Sequence, residues 1–146
     1  MKDFDLNRFL VGQQFGYDWA LKEIQAGKKE GHWIWYIFPQ LKGLGYSSNS
    51  RFYGIDGREE AEAYLKHEVL NARLREISSA LLRHKGAPIS EIMPGIDCLK
   101  LKSSMTLFDA ICPNDIYDEV LQCFFDGKHD KVTLRMIEEE SERGWP

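Results

Sequence analysis

Apolar residues recur along most of this chain at intervals of three and four, the spacing of one face of an α-helix. Leu6, Phe9, Leu10, Tyr17, Ala20, Leu21 and Ile24 form the first such stripe, in a helix that Asp5 is placed to cap and that runs to about Gln25 before Gly27. A second helix, "REEAEAYLKH" after Asp56 or Gly57, turns Ala61, Tyr64 and Leu65 inward. From Val69 to about His84 the stripe is Leu70, Leu74, Ile77 and Leu81, ended by Gly86 and Pro88. "PISEIMPGID" reads as one short helical turn and a connection. Asp97 to Cys112 carries Leu101, Met105, Phe108 and Cys112 on its inner face, and Pro113 breaks it. Asn114 is placed to cap a helix with Ile116, Val120, Leu121 and Phe124, and after Gly127 a last helix spans roughly His129 to Arg143. The prediction is an all-α fold, a single-domain array of about seven helices over residues 1–146 with no significant sheet.

"GHWIWYIFPQ" (Gly31 to Gln40) fits neither period cleanly. Read as a strand, Trp33, Trp35 and Ile37 alternate with His32, Ile34, Tyr36 and Phe38, and both faces are apolar. Read as a short helix, it is apolar all round and stops before Pro39, which disfavours helical geometry at Phe38. The helix is the better reading, because nothing else in the chain supplies partner strands. "LKGLGYSSNS" (Leu41 to Ser50) reads as a loop, and its Gly43 and Gly45 do not make a phosphate-cradling motif.

A composition of 43% hydrophobic and 29% charged residues is that of a globular chain with one core. The net charge of -4 argues against a nucleic-acid partner, which needs a clustered basic surface. The pair Lys28–Lys29 reads as solvated. "MKDFDLNRF" lacks the apolar run of a signal peptide and no segment approaches membrane-spanning length, so cytoplasm is the expected compartment. Cys98, Cys112 and Cys123 are odd in number and lack C-x-x-C spacing, which predicts reduced, mostly buried thiols without a disulfide or zinc. His67, His84 and His129 are isolated from further ligands, and neither a metal nor a cofactor is expected.

The candidate chemistry lies where polar residues interrupt buried faces. Gln13, four after Phe9 and four before Tyr17, sits at the centre of the first stripe, and its amide needs partners for both donors and its acceptor. Asp97, Lys100 and Ser104, at i, i+3 and i+7, run along the edge of another buried face, with Ser103 a little further round. They read either as an anion or polar-ligand site centred on Lys100, or as a structural Asp97–Lys100 pair with both serines bonded back to their own helix. A Ser–Lys nucleophile is weaker, because no oxyanion hole is visible in sequence. His32 is a candidate acid or base or a packing residue; Trp33 and Trp35 stack on a ligand ring or fill the core.

Several of these segments carry a resemblance. "QFGYDWAL", "GHWIWYIFPQLKGLG", "EAYLKHEVLNARL" and "DCLKLKSSMTLF", in this order, resemble the domain-of-unknown-function 1810 family, often mislabelled calpastatin and also called the Rv1873-like superfamily. The family's motif residues match at Gln13, Tyr17, His32, Trp33, Trp35, Pro39, Gln40, Gly45, Tyr64, Leu74, Asp97, Lys100, Ser103, Ser104, Thr106 and Phe108. One departure is Glu68, where the family usually has proline. The resemblance implies a mainly helical single domain and no established activity. The calpastatin label does not suit a chain with five prolines and 12% aromatic residues, since a disordered inhibitor would be proline-rich and poor in aromatics.

Two functional readings follow. In the first, a small polar or anionic, nucleotide-like ligand binds where the first helix, the aromatic segment and the Asp97 helix meet. Its site is Gln13, Tyr17, His32, Trp33, Trp35, Gln40, Asp97, Lys100, Ser103 and Ser104, with His32 and Lys100 as candidate catalytic groups. In the alternative, the chain is a helical protein-interaction module whose polar core residues are structural, and Val11, Phe15 and Trp19 form its apolar patch. Whether it is an enzyme is open on the sequence alone.

Overall fold

The apolar stripes close on one another as helices, with nine among the described residues of a computed structural model that describes residues 3–142. They are α1 (Asn7–Ala26), α2 (Ile34–Ile37), α3 (Ser48–Tyr53), α4 (Gly57–Lys66), α5 (Glu68–Leu82), α6 (Ile89–Ile92), α7 (Asp97–Ile111), α8 (Ile116–Phe125) and α9 (Lys131–Glu142). The fold is all-α. Among the described residues its β pairing is one isolated parallel bridge between Leu41 and Ile55. No described helix is long and apolar enough to cross a membrane.

An aromatic chain runs through the core. Tyr64 of α4 meets Phe9 of α1 edge-on, with ring centroids 5.1 Å apart, and Phe108 of α7 at 5.4 Å. Phe108 in turn lies 5.7 Å from Tyr117 of α8. All four side chains are buried, and each contributes about 1.5–3 kcal/mol relative to an exposed position. Leu70, Leu74, Ile77 and Leu81 of α5 are buried as their spacing requires.

Several ends differ from the sequence reading. Asp5 does not cap α1, because Leu6 occupies that position without a side-chain hydrogen bond. Arg8 secures this end instead: its guanidinium meets Glu60 of α4 at 2.7 and 3.0 Å and donates to the carbonyls of Phe52 and Gly54, both at 2.9 Å. Residues 48–50, read as the end of a loop, form α3 with the three that follow, capped by Ser47, whose hydroxyl accepts from the Ser50 N–H. Its short length means that Arg8 and this cap, rather than periodicity, hold it. Asp115, not Asn114, caps α8, and Asn114 takes left-handed backbone at φ 60°. Asp130 accepts from the Thr133 N–H at the start of α9, and the predicted end at Arg143 lies outside the described residues. His67 closes α4 and caps α5, its ring accepting from the Leu70 N–H. The three cysteines are unpaired, and they are half-buried rather than mostly buried.

Candidate functional site

The polar residues on buried faces separate into three groups. The first is a closed network behind α2. Gln13 is 2% exposed; its amide donates to the Tyr36 carbonyl at 2.7 Å and the Tyr64 hydroxyl at 3.2 Å. Its oxygen accepts from Arg73 at 3.3 Å. Every group of the amide is therefore satisfied from within the protein. One turn on, the Tyr17 hydroxyl donates to the Glu76 carboxylate. Burial, then this carboxylate, pushes the Tyr17 phenol well above its ordinary range. The network ties α1 to α2, α4 and α5.

The second group anchors the loop before α2. Lys29 is 6% exposed, so the lysine pair is not simply solvated: its ammonium lies 2.7 Å from the Asp97 carboxylate and 4.8 Å from the Trp33 ring centroid. The Asp97–Lys100 pair offered by their spacing is replaced by this longer-range one. Trp33 is fully buried, and its indole donates to Glu23 at 2.8 Å. Burial acts to raise the Glu23 pKa, but the N–H groups of Gly31, Glu30 and Trp33 outweigh it and hold the carboxyl below its usual value.

The third group lines open space. A small inner cavity of about 10 Å³, roughly the minimum that holds one water, is bordered by Trp35, Gln40, Ser50, Tyr53 and Lys100. An adjoining groove of about 610 Å³ shares Gln40, Ser50 and Lys100 with it and extends past Ser103 to Asp130. Lys100 Nζ stands 5.1 Å from the Trp35 ring centroid, a cation–π contact. No carboxylate among the described residues lies within ion-pair distance of it. The Trp35 indole N–H is buried without a hydrogen-bond partner among the described residues.

Local structure places these side chains. The Ile55 N–H donates to the Gln40 carbonyl at 2.9 Å, and the Ile55 carbonyl accepts from the Lys42 N–H at 2.9 Å, which fixes Gln40 beside α3. A methyl group on Gly45 would collide with the Ser50 hydroxyl, so the backbone there needs glycine to approach the cleft wall. Ser103 bonds back to the Leu99 carbonyl at 3.1 Å while lining the groove. The Thr106 hydroxyl accepts from the Asp130 N–H at 2.9 Å and so positions the far wall.

The structure thus brings Trp35, Gln40, Lys100 and Ser103 to one cleft. Gln13, Tyr17, Trp33, Asp97 and Ser104 border neither cavity, and His32 is exposed away from both. The Ser104 hydroxyl is buried without a partner among the described residues, so it does not bond back to its helix. Sequence reasoning missed Ser50, Tyr46 and Tyr53; the S-x-x-S of a Ser47 cap was the available signal for the first. Among the described residues no group of three or more His, Cys, Asp or Glu side chains is arranged to hold a metal ion.

A family model described as "Protein of unknown function (DUF1810)" matches residues 3–137. The crystal structure of the conserved hypothetical protein Rv1873 from Mycobacterium tuberculosis is similar over 92% of this chain and 97% of its own, at 41% sequence identity and a TM-score of 0.90. No curated protein matches the chain.

Proposed function

The chain belongs to the DUF1810 family, and from that premise we propose that it binds a small anionic, ring-bearing ligand in the cleft between α2, α3 and α7. The observation that carries this reading is Lys100: a half-buried lysine held over an indole, at the junction of two cavities, with no carboxylate among the described residues within ion-pair distance. An uncompensated cation beside a flat π-face suits a ligand that pairs negative charge with a ring, as a nucleotide does. Gln40 and Ser103 supply hydrogen bonds. Gln13 acts behind the wall by holding α2 through the Tyr36 carbonyl, while Tyr17 ties α1 to α5.

A thermal-shift panel of nucleotides, ADP-ribose derivatives and phosphorylated or carboxylated metabolites tests the reading, with Lys100→Gln alongside. Stabilisation of the parent chain that disappears in the variant supports it. A flat panel sinks it.

A second reading, the helical interaction module, draws on a different surface. Val11, Phe15 and Trp19 are 56%, 83% and 49% exposed along one face of α1. A chain that stays monomeric at high concentration and recovers no partner through that face counts against it.

A further inference from the structure

A separate concavity, of about 500 Å³, lies between α7 and the turn that joins α8 to α9. Lys102, Lys128 and Lys131 line it, together with His129, Asp130 and Val132. It touches the outer groove at Asp130 and Val132 but contains none of Trp35, Gln40, Lys100 and Ser103. With His129 neutral, its lining carries a surplus of two positive charges, on a chain whose net charge is -4. No carboxylate among the described residues lies within ion-pair distance of these three lysines.

The acids beside them are engaged elsewhere. Asp130 accepts from the Thr133 N–H at 2.9 Å and from the Thr133 hydroxyl at 2.6 Å. Asp109 lies 2.9 Å from His129 Nε2, and Asp126, at the end of α8, does not line the pocket. Asp130 already caps α9, so the lysines, not the helix end, supply the attraction.

The same contacts order the pocket. The Asp130 N–H donates to the buried Thr106 hydroxyl and the Lys128 N–H to the Phe125 carbonyl, both at 2.9 Å. The backbone that carries Lys128 and Lys131 is therefore pinned to α7, which carries Lys102, before any ligand arrives. Lys102 is half-buried, with Nζ 6.0 Å from the Phe125 ring centroid. Lys128 and Lys131 are exposed, so an anion reaches the pocket directly from solvent.

Each ammonium is a compact charge with three donors. A phosphate monoester brings a charge of about -1.5 to -2 and three acceptor oxygens. That matches both the surplus of two and the three lysines from two chain segments. A carboxylate, or one phosphate of a nucleic-acid backbone, brings a single charge and leaves part of the surplus unbalanced. We infer that this pocket holds the terminal phosphoryl group of a small molecule, its oxygens accepting from Lys102, Lys128 and Lys131.

The test is titration of the full chain with inorganic phosphate, ethyl phosphate, acetate and a short single-stranded oligonucleotide, at constant ionic strength. Amide resonances from Lys128 to Leu134 are the readout. Both phosphates shift them to saturation, and acetate acts about tenfold more weakly. Lys102→Gln, Lys128→Gln and Lys131→Gln each weaken ethyl phosphate about threefold, and the three combined abolish its effect. Lys85→Gln, at an exposed lysine outside the pocket, leaves it unchanged. Equal affinity for acetate and phosphate overturns the inference, as does phosphate binding that survives the triple change or falls equally in Lys85→Gln. Tighter binding of the oligonucleotide than of ethyl phosphate overturns the small-molecule assignment. Each of these failures leaves the cleft reading standing, because that reading depends on Lys100 and a ring-bearing ligand.

Discussion

Lys29 Nζ lies 2.7 Å from Asp97 Oδ2, so the acid one turn before Lys100 is already engaged from another loop. The Lys29 ammonium also donates to the Gly31 carbonyl at 2.5 Å. This pair joins the entry of α2 to the start of α7, the two elements that carry Trp35 and Lys100.

Lys29→Met leaves Asp97 without its partner. Because Asp97 keeps 22% of its side-chain exposure, the expected loss is about 1–3 kcal/mol, below the roughly 3–5 kcal/mol of a fully buried pair. Lys29→Met combined with Asp97→Asn recovers part of it. Urea denaturation midpoints of the three proteins check this; equal losses in the single and double variants would show that the charge is not the cause.

Gln13→Ala and Lys100→Gln should differ in kind. The first strips a satisfied amide from a buried network and costs about 1–3 kcal/mol of stability. The second changes a side chain with no ion-pair partner among the described residues and shifts stability by about 0.5 kcal/mol or less. Ligand binding follows the opposite order. Chemical denaturation and titration of both variants give the comparison.

Ser104→Ala removes a hydroxyl that is buried and unpartnered in the core. Alanine also has the higher helix propensity, by roughly 0.5 kcal/mol. The melting temperature is expected to hold or rise. A fall of several degrees would reveal a partner for the hydroxyl.

Asp115 provides a pH signature. Its hydrogen bond from Arg75, then the Ile116 N–H, push its pKa down from the ordinary 3.8 to about 2. The folded-state value is lowered, so the stabilising contribution is complete above the ordinary value and is lost as pH falls through the folded one. Asp115→Asn is therefore less stable than the parent at neutral pH, and the gap closes between about pH 3.8 and pH 2. Paired urea titrations across that range measure it. A gap that persists unchanged at pH 2 would rule out the carboxylate charge as its source.

The helices with long apolar stripes were legible because packing one face of a helix imposes a period that composition cannot hide. Caps were less so. Asp5 and Asn114 have the right chemistry in nearly the right place, but the neighbouring residue takes the position, a difference set by chain direction rather than residue type. The helix α3 has six residues and draws its stability from Arg8, forty-four positions upstream of Phe52. Lys29 looked like a loop lysine because Trp33 and Asp97 meet it only in the folded chain. Within the site, helical angles along α7 group Asp97, Lys100 and Ser104 with Ser103 further round, whereas Lys100 and Ser103 are the two that line the cleft. They could not say that Gln13 would find Arg73, or that His32, next to a buried tryptophan, would face outward.

The parallel bridge at Leu41 and Ile55 has a mechanical consequence. It closes the excursion from residue 42 to 54 at its base, and the Arg8 guanidinium holds the returning end of that excursion through the Phe52 and Gly54 carbonyls. Both fixings lie at the same root, so the cleft wall that carries Tyr46 and Ser50 is tethered to α1, although no described side chain of α1 lines the cleft.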